Sequence, residues 1–183
     1  MTRVVRLEMV SHAMTDAMAA ARFPADEPLS DAGRRRAEVA AGLDIRGARH
    51  IAGPELRTRQ TAELLGLEAM VEPRLADLDC GLWRGQALGA VSEAELEAWR
   101  NDPAQAPHGG ESIVELTERV AGWLASLTQG PSRTVAVTHP GVIRAAILTA
   151  LDIAPKSFWR IDIAPLSRTT MHYRNGRWTL RLQ

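Results

Sequence analysis

The sequence predicts a layered α/β fold with a largely parallel sheet. Three observations predict it. Short runs of β-branched and apolar residues alternate with segments of helical periodicity along most of the chain, the pattern of a sheet covered by helices. The length, 183 residues, suits one domain, spanning 1–183, with a real core. Hydrophobic residues make up 45% and charged residues 24%, an ordinary globular balance with no apolar run of membrane-spanning length.

Each element has its own signal. Val4 to Val10 is β-branched and apolar and reads as the first strand. PLSDAGRRRAEVAAGL opens a helix with Ser30 as N-cap and apolar spacing through Leu43. A strand over Arg49 to Ala52 ends at Gly53-Pro54, and a helix from Glu55 to Leu65 stops at Gly66. Residues 68 to 72 suit a third strand, and the glycine-containing stretch 73 to 91 is irregular. Ser92-Glu93-Ala94-Glu95 is a capping-box pattern for a helix to about Arg100. After the loop 101 to 110 come a helix from Glu111 to Leu127, a buried strand from Thr134 to Thr138 and a helix from Gly141 to Leu151. Asn175-Gly176 between TTMHYR and RWTLRL predicts a type I′ hairpin.

Composition excludes several functions. Net charge is zero and pI is about 7.0, so no overall positive field gathers nucleic acid or anionic lipid. Lys156 is the sole lysine among 22 basic residues; this reads as base-composition bias, although arginine does grip phosphate through a planar fork. Cys80 stands alone, so no intrachain disulfide forms. The opening MTRVVRLEMVSH is interrupted by Arg6 and Glu8 and has no signal-peptide pattern. A cytoplasmic protein is expected, with no membrane and no nucleic-acid partner.

In a parallel sheet, ligands sit outside the carboxyl ends of the strands. His12 and His139 both lie just past such ends. A neutral histidine there can attack phosphorus, and a second can donate to a phosphoryl oxygen. Arg57 starts a helix, where backbone N–H groups already favour an anion. Asp77 and Asp79 sit in a glycine-rich loop and offer a carboxyl to protonate a leaving alcohol.

In order and context these segments resemble the histidine phosphatase superfamily. His12 and Thr15 stand in its Arg-His-Gly-Glu-Thr type motif; PLSDAGRRRA, RTRQTA (57–62), RLADLDCGLWRG, HGGES with Arg119, and VTHPGVIRAAI come next in the family's order. The resemblance implies a three-layer sandwich whose mostly parallel central sheet is flanked by helices. It implies a phosphatase acting on a small phosphorylated metabolite. His12 forms the phosphohistidine, His139 and Arg57 hold the phosphoryl oxygens with Ser11 and Thr15 beside them, and Asp77 is the acid. It implies no metal and no cofactor, and the five histidines show no metal-ligand spacing with acidic residues.

Four positions depart from the family pattern. Ser11 replaces the motif arginine, a neutral hydroxyl in place of a charged fork. Ala13 and Met14 replace a glycine and a polar residue, and Asp77 replaces glutamate. The rival reading is a catalytically degraded phospholigand-binding protein of the same fold. Arg84 and His108 are candidates to restore the missing charge, and Asp79 is an alternate acid. Trp99 and Trp123 are expected in the core or at a partner contact rather than stacked on substrate, Arg34 to Arg36 on a solvated helix face, and Trp159 and Trp178 could serve a homodimer contact.

Overall fold

The computed structural model describes residues 4–42 and 46–182. One six-stranded sheet is built from β1 (Val5–Ser11), β2 (Arg49–Ala52), β3 (Met70–Val71), β4 (Arg133–Thr138), β5 (Arg168–Arg174) and β6 (Arg177–Arg181), in the order β3-β2-β4-β1-β5-β6. The first four strands are parallel, and β5 and β6 join as an antiparallel hairpin beside β1. Asn175 and Gly176 have φ of 52° and 79°, the two positive values a type I′ turn requires.

Alternation along the strands divides the core. Val10, Ala52, Val135 and Val137 pack against α3 (Leu56–Leu64) on one face. Leu7, Met9, Ile51, Ala136 and Met171 face the other way, into the larger cluster with α5 (Ile113–Leu127) and α6 (Pro140–Ala150). Because side chains alternate with period two, one apolar strand serves both layers. Trp123 of α5 lies wholly inside the larger cluster and Trp99 of α4 (Glu93–Asn101) is also buried there, as the sequence predicts.

Boundaries move for local reasons. β1 runs one residue further than expected, because Ser11 pairs Thr138 of β4. The helix after Ser30, α2 (Asp31–Val39), does not reach the expected Leu43: Ala40 caps it and Gly42 has a φ of 121°. Leu43 itself lies outside the described residues. The strand expected over 68 to 72 shortens to two exposed residues at the sheet edge. The helix expected from Glu111 starts two residues later, where Ser112 and Glu115 form a capping box. Arg34, Arg35 and Arg36 are exposed on α2, as expected. Among the described residues no helix is long and apolar enough to cross a membrane.

Candidate active site

Strand register creates the site. Ser11 pairs Thr138, so the next residues, His12 and His139, emerge side by side at the carboxyl edge of β1 and β4. The His12 N–H donates to Thr138 O at 2.9 Å, and the two rings sit 5.2 Å apart at 66°. His12 Nδ1 lies 2.7 Å from Ala13 O. A carbonyl only accepts, so Nδ1 carries the proton and Nε2 keeps its lone pair. Burial, with the positive charges of His139 and Arg57, lowers the His12 pKa to about 3 against the backbone hydrogen bond that favours the proton. The ring is a neutral, oriented base.

Arg57 lies in the first turn of α3 with its side chain buried. Its Nη1 donates to Ala25 O and its Nη2 to Asp77 Oδ2, each at 2.7 Å, and Glu27 stands 3.9 Å away. Burial alone would raise the Asp77 carboxyl, but the charges of His139 and Arg57 hold its pKa at about 2. Without substrate Asp77 is therefore a carboxylate. His139 is flanked by two acids: Nε2 is 2.7 Å from Glu55 Oε2, and Nδ1 is 3.4 Å from Asp77 Oδ2. That Nδ1 is buried with no hydrogen-bond partner. Glu55 Oε1 also accepts the Asp77 N–H at 2.9 Å. Arg119 anchors the same loop from below, paired with Glu111 at 2.7 Å and donating to Arg74 O and Ala76 O.

A cavity of about 180 Å³ opens at this point, lined by His12, Arg57 and Asp77 among others. Three residues expected to hold phosphate do not line it, and one of them, His139, is wholly buried. Ser11 is wholly buried, its Oγ without a partner, because it shares a strand face with Leu7 and Met9. Thr15 spends its hydroxyl capping α1 (Asp16–Ala19), accepting the Met18 N–H. The candidates for replacing the lost arginine also fall outside. Arg84 is exposed and lines an adjoining groove without His12. His108 is buried beside Trp83 at 5.0 Å, its Nδ1 accepting the Gly110 N–H. Asp79 faces the adjoining groove and accepts the Gly81 N–H.

Sequence reasoning missed four participants: Glu55, Glu27, Arg144 and Phe23. Trp159, weighed for a dimer contact, instead lines the cavity and meets Trp99 at 4.5 Å. Trp178 packs against Tyr173 within the hairpin at 5.4 Å. Position in PELRTRQTA was the one available signal for Glu55, and it read only as a helix start.

The lowered His12 pKa has a consequence for stability. Between pH 6.5 and about 3 the unfolded chain protonates His12 while the folded chain does not, so stability falls with pH through that window. Asp77 adds a loss in the same direction as pH drops below its ordinary 3.8 towards about 2. Urea unfolding at pH 7 and pH 4 should differ by roughly 3 kcal/mol on account of His12, and His12→Asn should remove that part of the difference.

Comparison with known proteins bears on the family and the fold. The model of the histidine phosphatase superfamily, branch 1, matches residues 7–183. A probable phosphoglycerate mutase GpmB of Cronobacter sakazakii is 30% identical, over 96% of this chain and 88% of its own length. The solved structure of a mycobacterial glucosyl-3-phosphoglycerate phosphatase complexed with VO3 superposes with a TM-score of 0.85 at 28% identity, covering 97% of this chain and 98% of that one. A phosphoserine phosphatase mutant from Entamoeba histolytica shares the fold, with a TM-score of 0.84 at 21% identity, covering 96% of this chain and 94% of that one.

Proposed function

The chain belongs to the histidine phosphatase superfamily, branch 1, and on that premise we propose that it hydrolyses a small phosphate monoester, without a metal, through a phosphohistidine on His12. The observation that carries this reading is the neutral His12 ring, with Nδ1 tied to Ala13 O and Nε2 free, in one cavity with Arg57. His12 Nε2 attacks phosphorus, and the bond from phosphorus to the ester oxygen breaks. Arg57 and the unpartnered His139 Nδ1 take the non-bridging oxygens. Asp77 gives the leaving oxygen its proton. Water then attacks phosphorus, Asp77 accepts its proton, and cleavage of the P–N bond releases inorganic phosphate and restores neutral His12.

Asp77 is ionised in the free protein, so its role as acid depends on substrate. An arriving phosphoryl group draws Arg57 away and adds negative charge beside the carboxylate; both changes raise its pKa. The glucosyl-3-phosphoglycerate phosphatase among the similar structures supports hydrolysis, whereas the 30% identical relative is a probable phosphoglycerate mutase.

The test is a screen of phosphate monoesters with acid-quench trapping of phosphoprotein. Turnover with an acid-labile phosphoenzyme is expected. Inactivity of the wild type with turnover in Ser11→Arg would instead favour the degraded, ligand-binding reading, for which the buried, unpartnered Ser11 hydroxyl speaks.

A further inference from the structure

Resting on the phosphatase reading, we infer that the leaving group is an apolar, ring-bearing alcohol rather than a polyol. The cavity has two unlike ends. His12, Arg57 and Asp77 form one; the other is walled by Met18, Phe23, Leu78, Trp99, Phe158 and Trp159. Its aromatic rings meet edge to face or tilted: Phe23 to Trp99 at 5.8 Å, Trp99 to Trp159 at 4.5 Å, and Phe158 to Trp159 at 4.9 Å.

The polar groups on this wall are only partly engaged, and Trp99 Nε1 is buried with no hydrogen-bond partner. Arg144 donates from Nε to Ile161 O at 2.7 Å, and its guanidinium lies over the Phe158 and Trp159 rings at 5.5 and 5.6 Å. Arg22 donates to Gly85 O, and Glu27 accepts from the Ala25 N–H and Thr15. The donors left over are the remaining N–H groups of Arg144 and Arg22 and the Trp99 Nε1–H, so a polyol hydroxyl set against the rings instead loses water unmatched, at a cost of roughly tenfold in binding. A flat apolar group meets the aromatic faces instead. At about 180 Å³ the cavity is below the roughly 300–1,000 Å³ of drug-sized sites, so it holds phosphate and about one ring, and anything larger extends past the part-exposed Trp159.

Benzyl phosphate and glycerol 3-phosphate, both esters of alkyl alcohols, test this. The expected result is a kcat/KM at least about tenfold higher for benzyl phosphate, with Trp159→Ala narrowing the ratio. Equal or reversed preference overturns the substrate class and leaves the phosphatase reading standing. Should neither ester turn over, the phosphatase reading is decided by the wider monoester screen. Quenching of tryptophan fluorescence by benzylphosphonate against 3-phosphonopropionate then decides the apolar subsite alone: tighter benzylphosphonate binding supports it, and equal or weaker binding overturns it.

A separate observation assigns Glu55 as the positioning residue of His139. A Cβ on Gly53 would stand 3.1 Å from His139 Nε2 and 3.2 Å from Glu55 Oε2, so the glycine leaves the room in which carboxylate and ring meet at 2.7 Å. With Nε2–H donating to Glu55, the ring is held so that Nδ1 faces Asp77 and the nucleophile. Glu55→Gln is expected to lower kcat by roughly 10- to 100-fold, the usual cost of removing a histidine's orienting partner, with little change in KM and partial recovery in Glu55→Asp. The same variant should lose the downfield-shifted His139 Nε2–H proton signal in NMR, a readout independent of turnover. An unchanged signal and unchanged kcat would overturn the assignment.

Discussion

Replacing His12 with alanine is expected to remove phosphate-ester turnover by about 10⁵- to 10⁶-fold, the scale of losing a nucleophile, and to abolish the trapped phosphoprotein. The reason is that the two histidines are not interchangeable. His12 presents Nε2 because Ala13 O holds its Nδ1 proton, whereas His139 commits Nε2 to Glu55. The His12 ring also stays neutral down to about pH 3, so the proposed nucleophile is not lost to protonation in mildly acidic buffer. Residual turnover above a small fraction of wild type in His12→Ala, with phosphate still bound to protein, would place the nucleophile elsewhere. His12→Ala should remain folded, since it removes a buried base and not a charge. Circular dichroism and a urea midpoint at pH 7 check that point.

Arg57→Ala should cost both stability and activity. Arg57 is 1% exposed, and its guanidinium faces Asp77 at 2.7 Å and Glu27 at 3.9 Å. Breaking one partner of a buried pair typically costs about 3–5 kcal/mol, because the other charge is left uncompensated. Loss of a donor to the transferring group adds a rate loss of about 10²- to 10³-fold. Arg57→Lys should recover part of the stability and little of the rate. A single ammonium cannot reach Ala25 O and Asp77 Oδ2 in the two directions the planar fork serves. A double variant, Arg57→Met with Asp77→Leu, separates the two effects: stability should return towards wild type while turnover stays at least as low as in Arg57→Ala. Denaturant unfolding read beside kcat/KM distinguishes these outcomes. If Arg57→Ala unfolds at the wild-type midpoint, the pair contributes nothing to the fold.

Much of this arrangement is legible in the chain alone, and the limits come from distance along it. β-branched runs, caps and the Asn175-Gly176 turn act within a few residues, so the alternation of strands and helices, the layered architecture and the placement of His12 and His139 at strand ends can be read directly. Order among motifs is equally readable, and it carries the family resemblance. The departure at Ser11 is visible as well, but its burial away from the cavity is not. Arg84 and His108 look near the site in sequence and instead face an adjoining groove and an aromatic cluster.

Tertiary structure alone decided which groups meet. The pairing of Ser11 with Thr138 brings together residues from β1 and β4, and nothing local in either strand specifies that register. It decided that Thr15 caps a helix, that Asp77 is ionised between Arg57 and His139, and that Glu55 reaches His139. It also turned Trp159 from a candidate dimer contact into a cavity wall. The physical reason is the same in each case. Local propensity depends on neighbours in the chain, whereas pKa, hydrogen-bond partners and cavity polarity depend on side chains that approach only after the sheet has closed around them.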